Sequence, residues 1–257
     1  MKISVITINY NTGREFLRTK ASVTSQSYSN IEWVVIDGGS TDDSMNEILK
    51  SKDLIDILII GKDRGISHAF NKGIDAATGD ALIFMNSGDT FSDSGALLGI
   101  FQAWDVRHNA WICGGGYITN ENGLKTRREL HNYTPKKLIE NGCKILHASV
   151  LIRTDLIRSF SGYSENYRSA MDFDLWVRLI ARGFEPQIWD GAVSNFYLGG
   201  ISASYSGFEE EICSLKENGM LKQHAIIRMK LRKYLVSRLS FLKKNKYVYR
   251  LKELIAL

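Results

Sequence analysis

The sequence predicts an α/β fold with a mainly parallel central sheet, helices on both faces, a mixed α+β second half and a basic helical C-terminal tail. Three observations carry that expectation. Apolar, β-branched runs at Ile3 to Ile8, Ile31 to Ile36, Ile55 to Ile60 and Ala81 to Met85 have the length of buried strands and end at intervals of about 25 residues. Helix-like segments lie between them. Each run then breaks into a polar cluster, most of them glycine-bearing. Strands alternating with helices at this period form right-handed crossover units, and those build parallel sheet covered on both faces.

Taken in order, Ser40 or Thr41 is placed to cap a helix carrying Met45, Ile48 and Leu49, and Ser67 one carrying Phe70, Ile74 and Ala77. A third helix starts at Asp93 and packs Leu97, Phe101 and Trp104. Beyond residue 105 the pattern loosens. There the sequence predicts a strand at Trp111 to Thr119 containing Gly114-Gly115-Gly116, a Pro135-initiated helix and a strand at Ala148 to Ile152. The stretch Met171 to Ile180 reads as a helix with Phe173, Trp176, Val177 and Ile180 on one apolar face. The divisions expected are 1–105, 106–205 and 206–257.

At 257 residues and 29.0 kDa the chain makes one large domain, or one with an appendage. Its 44% hydrophobic and 24% charged residues exclude long disorder and a coiled coil. No apolar run approaches the roughly 20 residues of a membrane span, and Met1 to Asn11 has no signal-peptide pattern, so a cytoplasmic location is expected. Cys113, Cys143 and Cys213 are too few and too scattered for a disulfide framework or zinc knuckle, and read as buried thiols.

Charge is uneven. Eleven basic residues against Glu253 alone give residues 221–257 a local +10, which leaves −5 for the rest of a chain whose net charge is +5. Ile227, Leu231, Tyr234, Leu235, Leu239 and Leu242 share one face of a basic amphipathic helix, which either lies in a membrane interface or packs on the domain. Lys243 to Lys252 favours an anionic membrane surface. Tyr234, Phe241, Tyr247 and Tyr249 interleave with the charges, but nucleic acid is not the partner expected.

The polar clusters Asn9-Tyr10-Asn11, Asp37-Gly38-Gly39-Ser40, Lys62-Asp63-Arg64-Gly65 and Asn86-Ser87-Gly88-Asp89 fall at the carboxyl ends of the strands, where open α/β sheets bind ligands. Asp89 either holds a divalent cation or caps a turn. No G-x-G-x-x-G follows the first strand, which excludes a dinucleotide site. A P-loop is also absent, as is the glycine-rich basic loop that a sugar nucleotidyltransferase requires.

In order and spacing, Val5 to Asn11, Val34 to Asp42, Gly65 to Ile74 and Asn86 to Asp89 resemble the glycosyltransferase family 2 enzymes of the GT-A fold, whose sheet is Rossmann-like. The resemblance runs from residue 2 to about 205. The Asn-Ser-Gly-Asp stretch, where relatives more often carry Asp-x-Asp, is similar to the branch that assembles colanic acid, O-antigen and other surface polysaccharides. It implies a nucleotide-sugar donor. Tyr10 would stack on the base, Asp37 would accept from uracil N3–H, and the backbone from Thr7 to Asn9 would line the base pocket. Arg64 and Asn71 would reach phosphates or ribose, with support of the loop the alternative for Tyr10 and Asn71. Asn86, Ser87 and Asp89 would face the diphosphate, with Asp89 holding Mn²⁺ or Mg²⁺.

Asp172 matches the second residue of the family's Glu-Asp pair, Met171 replacing the Glu, and is the expected general base. Asp174 is its competitor, and either could instead cap the helix. Tyr197 to Ser202 is similar to a Gly-Gly-Val-Ser loop that closes over the donor, with Ser202 near phosphate. His147 resembles a recurrent histidine, with an acceptor, phosphate or purely structural role. His68 and Ala148 depart from the family pattern, where relatives carry Asp and Gln.

The function implied is inverting transfer from a UDP-sugar, in preference to a GDP-sugar, to a polyprenyl-diphosphate-linked oligosaccharide. The enzyme would sit peripherally on the inner face of the cytoplasmic membrane. The alternative is a non-catalytic binding module for membrane or nucleic acid.

Overall fold

The computed structural model describes residues 1–119, 123–130, 134, 137, 143–197, 206–221 and 227. Its first half is a parallel sheet of β1 (Ile3–Asn9), β2 (Ile31–Asp37), β3 (Ile57–Ile60) and β4 (Ala81–Phe84) in the order β3-β2-β1-β4. All four apolar runs are therefore strands. Period-two alternation sends Ile6, Val34, Ile36 and Phe84 into one core and Ile3, Val5, Val35 and Ile83 into the other. Helix α3 (Ile66–Ala76) covers the first through Phe70 and Ile74. Helices α1 (Glu15–Thr24), α2 (Asp43–Lys50) and α4 (Ala96–Ala103) cover the second through Phe16, Ile48 and Leu97. Burial on both faces is why these strands read as continuous apolar runs.

The helix starts differ from expectation. The cap of α2 is Asp42, which accepts from the Ser44 backbone N–H at 3.0 Å, so Ser40 is left for the sheet edge. Gly65 precedes α3, and Ser67 donates its hydroxyl to the Tyr167 carbonyl instead of capping. Helix α4 begins at Ala96, after Asp93 has accepted from Gly95 N–H. Helix α1 was not expected at all. Its inward stripe is only Phe16, Thr19 and Val23, and no side chain caps its start.

The same sheet continues through β8 (Val150–Arg153), β6 (Trp111–Thr119), β9 (Gln187–Tyr197) and β5 (Thr90–Phe91), with β7 (Lys125–Arg128) on β6. Strand β8 is antiparallel to both β4 and β6, whereas β6 runs parallel to β9. Strand β8 starts later than expected, because Ala148 lies in the 3₁₀ turn His147–Ser149. Gly114-Gly115-Gly116 sits inside β6, where the β6–β9 register shifts. A Cβ on Gly115 would lie 2.7 Å from the Arg128 carbonyl oxygen, and one on Gly116 at the same distance from that of Ser194, so neighbouring backbones approach only because the side chains are missing.

Helices α5 (Thr154–Ser159), α6 (Met171–Ala181) and α7 (Ser206–Glu217) complete the described chain. The predicted face of α6 is buried, and Trp176 stacks on Trp111 with ring centroids 5.0 Å apart. Ala170 is the α6 cap residue, so neither Asp172 nor Asp174 caps it. Cys113 is buried, Cys143 half-buried and Cys213 exposed, which departs from the expectation of three buried thiols. The Pro135 helix and the basic stretch from Lys243 lie outside the described residues, among which no helix is long and apolar enough to cross a membrane.

Candidate active site

Parallel register pairs Asn9 with Asp37 at the carboxyl ends of β1 and β2. Asn9 Nδ2 donates to Asp37 Oδ2 at 2.7 Å, and Ser40 Oγ donates to the same oxygen at 2.7 Å. Asp37 Oδ1 accepts the backbone N–H groups of Gly39 and Ser40, at 2.9 and 2.7 Å. Both carboxylate oxygens are thus engaged, and Asp37 has no exposed surface. It organises the β2 loop from within. That corrects the reading of Asp37 as acceptor for a uracil N–H, because no lone pair faces outward. Asn9 is likewise spent on Asp37, Ser40 and Ser44, and Thr7 accepts from Trp33 Nε1 under the sheet. Only the Ile8–Asn9 edge of this group reaches the cavity beyond.

That cavity has a volume of about 910 Å³. Its near wall is Tyr10 with Gly38 and Gly39, the Tyr10 ring lying so close over Gly38 that an added Cβ would be 3.0 Å from Cδ2. Tyr10 is 64% exposed, an aromatic face left open to a ligand. Lys62, Asp63 and Gly65 form a second side, and Arg168, Ser169 and Met171 a third. Glu15 and Arg18 of α1 stand beside Phe196 and Tyr197 of β9. Asn86 to Asp89 form the remaining wall.

The Asn86–Asp89 turn is tied down from both sides. Ser87 N–H donates to the Ile8 carbonyl at 3.1 Å, and Asp89 N–H closes the turn onto the Asn86 carbonyl at 2.9 Å. From beneath, Thr19 of α1 accepts from Gly88 N–H and donates to the Asp89 carbonyl. Gly88 adopts φ +103°, a conformation that a side chain would strain. The turn therefore holds Asp89 in one place.

Asp89 lines the cavity yet is only 6% exposed, and its carboxylate accepts from Tyr197 N–H at Oδ1 at 3.3 Å. Burial pushes its carboxyl up to about 7, against the Tyr197 N–H and the Arg18 charge, which pull it down. Asn86 Oδ1 is buried with no hydrogen-bond partner among the described residues. Among the described residues no three His, Cys, Asp or Glu cluster to cage a metal. One carboxylate and one orphan amide oxygen nonetheless fit Mg²⁺ or Mn²⁺, which prefer oxygen and keep several positions for water and phosphate.

Other predicted residues lie elsewhere. Arg64 is held by Glu165 through two hydrogen bonds, Nε to Oε2 at 3.0 Å and Nη2 to Oε1 at 2.8 Å, and it does not line the cavity, although Asp63 and Gly65 beside it do. Asn71 exchanges two hydrogen bonds with the backbone of Tyr163, both at 2.8 Å, so it is a structural strut and not a phosphate or ribose ligand. His147 bonds Tyr163 Oη at 2.7 Å and stacks on Phe84 with centroids 4.9 Å apart. Burial lowers it to about 3, so it is neutral and offers a phosphate no charge. Asp174 is buried, paired with Arg178 at 2.8 Å and accepting from Ser214 Oγ, which removes it as competitor for the base. Ser202 lies outside the described residues.

Asp172 is half-buried at the start of α6, its Oδ1 accepting Phe173 N–H at 2.8 Å. Burial pushes its carboxyl up to about 6. The described cavity wall reaches Met171 beside it. Asp89 lines the cavity directly, whereas Asp172 and Asp37 stand behind lining neighbours, Met171 and Gly38.

Sequence reasoning missed Glu15, Arg18 and Arg168, because α1 carries no cap signal and Arg168 precedes a helix without one. Lys62, Asp63 and Tyr197 stood inside motifs already singled out. Arg18 lies over the Tyr197 ring at 4.3 Å, a contact between segments almost the length of the domain apart.

The glycosyl transferase family 2 profile matches residues 4–165. A Bacillus subtilis (strain 168) protein provisionally described as glycosyltransferase EpsE is 27% identical over 191 residues, covering 71% of this chain and 68% of that protein. A Mycobacterium bovis PGL/p-HBAD biosynthesis glycosyltransferase is 24% identical over 192 residues, covering 73% and 70%. Among solved structures, S. aureus TarS with UDP-GlcNAc superposes with a TM-score of 0.69 at 17% identity, covering 92% of this chain and 73% of that one. The mannosyltransferase PcManGT of Pyrobaculum calidifontis, with GDP-Man and Mn²⁺, gives 0.68 at 14%, covering 99% and 84%. These likenesses show the GT-A fold. With more than half of its length matched by the family profile, the chain belongs to glycosyl transferase family 2.

Proposed function

We propose that the protein is an inverting glycosyltransferase that moves a hexosyl group from a nucleoside-diphosphate sugar, UDP in preference to GDP, to a lipid-linked saccharide acceptor. The observation that supports this reading most is the 910 Å³ cavity at the carboxyl edge of the sheet, with an open Tyr10 ring at one end and a buried Asp89 in its wall. A nucleobase stacks on Tyr10, and the diphosphate runs past Gly38, Gly39 and the Asn86–Asp89 turn. When bound at Asp89, a divalent cation would neutralise charge building on the departing diphosphate. Asp172 takes the proton of the acceptor hydroxyl as its oxygen bonds to the anomeric carbon, and the sugar–phosphate C–O bond breaks with its electron pair leaving on the diphosphate.

A thermal-shift panel of UDP, GDP, CDP and dTDP with Mn²⁺ tests the pocket, since a ligand selective for the folded state raises Tm. One nucleotide should stand out, and Tyr10→Ala should weaken it by about 1–3 kcal/mol, the usual worth of base stacking on a ring. No shift with any nucleotide would overturn the reading.

The UDP-GlcNAc bound to S. aureus TarS supports a nucleotide-sugar donor, and the likeness of Asn86-Ser87-Gly88-Asp89 to the surface-polysaccharide branch supports an acceptor anchored in lipid. The local +10 of residues 221–257 would hold the enzyme on an anionic leaflet, each basic side chain contributing roughly 1 kcal/mol. The full chain should co-sediment with anionic vesicles at low salt and be released at about 1 M, where the screening length falls to about 3 Å. Equal binding to neutral vesicles would remove the tail's role.

A further inference from the structure

The segment leading into α6 is held by a carboxylate from another helix. Glu210 of α7 accepts the backbone N–H groups of Arg168 at 3.2 and 3.1 Å, Ser169 at 2.8 Å and Ala170 at 2.8 Å. These three consecutive donors sit at the α6 N-terminus, where intrahelical acceptors are lacking, and Ala170 has no side chain to cap with. The helix dipole favours an anion there. The clasped segment faces the cavity through Arg168 and Ser169 and continues into Met171 and Asp172.

Two other contacts fasten α7 to the domain without Glu210. Ser214 Oγ donates to buried Asp174 at 2.8 Å, and Tyr167 Oη donates to Glu217 at 2.8 Å. Losing the Glu210 carboxylate therefore frees the 168–170 backbone while leaving the helix docked. We propose that Glu210 is a positioning residue for transfer, clasping residues 168–170 so that the α6 start presents Asp172 to the acceptor side of the cavity. This rests on the reading of Asp172 as base. Positioning matters because a displacement of about 1 Å in a reacting group costs on the order of 100-fold in rate.

The test compares Glu210→Ala, Glu210→Gln and wild type for kcat and donor KM, with amide hydrogen exchange read on the peptide spanning 168–173. Glu210→Ala should lower kcat about 10- to 100-fold with donor KM changed by less than about threefold, and should speed exchange in that peptide at least about tenfold. Glu210→Gln keeps one oxygen acceptor and should recover part of both. A kcat for Glu210→Ala within twofold of wild type, unchanged exchange, or a Glu210→Gln no better than Glu210→Ala at equal Tm would overturn the proposal. Asp172→Asn, run in parallel, separates the two failures. If it retains turnover, the base reading falls whatever Glu210 does. If it is inactive while Glu210→Ala keeps full kcat, the base stands and the clasp is overturned.

Discussion

Asp172→Asn is expected to lower kcat by about 10²- to 10⁴-fold, the range that a positioned general base supplies, while nucleotide affinity in Mn²⁺ stays within about twofold. The asparagine keeps the shape and can still accept Phe173 N–H, but it cannot take a proton. Burial has pushed the wild-type carboxyl up to about 6, and only its ionised form is a base. Wild-type kcat/KM should therefore rise as pH passes through about 6 and level above it, and the residual activity of the variant should lack that limb. Stability runs the other way. A carboxyl raised in the folded state contributes stability below its unfolded value, and that contribution is lost as pH rises through about 6. At pH 7 to 8 the variant no longer buries that charge, so it should melt no lower than wild type. Lost turnover with an unchanged Tm then isolates the chemistry, and undiminished turnover would remove Asp172 from the mechanism.

Asp89→Ala should weaken nucleotide binding in Mn²⁺ on the order of 10- to 100-fold and barely alter it in EDTA. The contrast follows from the turn's construction. Thr19 and Ile8 hold its backbone through groups that the substitution leaves intact, so the polypeptide keeps its path when the carboxylate goes. Calorimetric titration of the nucleoside diphosphate with metal and with chelator reads the difference directly. Equal losses under both conditions would make Asp89 a structural residue held by Tyr197 N–H and nothing more.

The four strands of the first half were legible because their signal is local. A run such as Ile31 to Ile36 announces its own burial, and the polar residues after it announce the sheet edge. The Asn86-Ser87-Gly88-Asp89 turn was legible for the same reason, since its glycine marks a backbone conformation that most residues resist. Helix α1 was not, because Thr19 occupies a core position where an apolar residue would have completed the stripe. That same threonine is what braces the Asp89 turn. Strand β9 hid behind Asp190-Gly191, which breaks the alternation where its register against β6 shifts.

Which polar side chains face the cavity was not written locally. Asp37, Arg64 and Asn71 carry the right chemistry at the right edge, yet each is taken by a remote partner: Asn9, Glu165 and the Tyr163 backbone, respectively, with Ser40 adding a local bond to Asp37. For His147 the sequence left acceptor, phosphate and structural roles open, and the fold places it in an aromatic cluster. Sequence alone determined the sheet, its ligand-binding edge, the acidic turn and the family, because periodicity and short motifs depend on neighbours along the chain. Tertiary structure alone decided that Asp89 faces the cavity, that Asp37 turns inward and that Glu210 clasps the approach to Asp172. A hydrogen bond goes to whichever group the fold brings within about 3 Å, and here those groups lie up to 108 residues away.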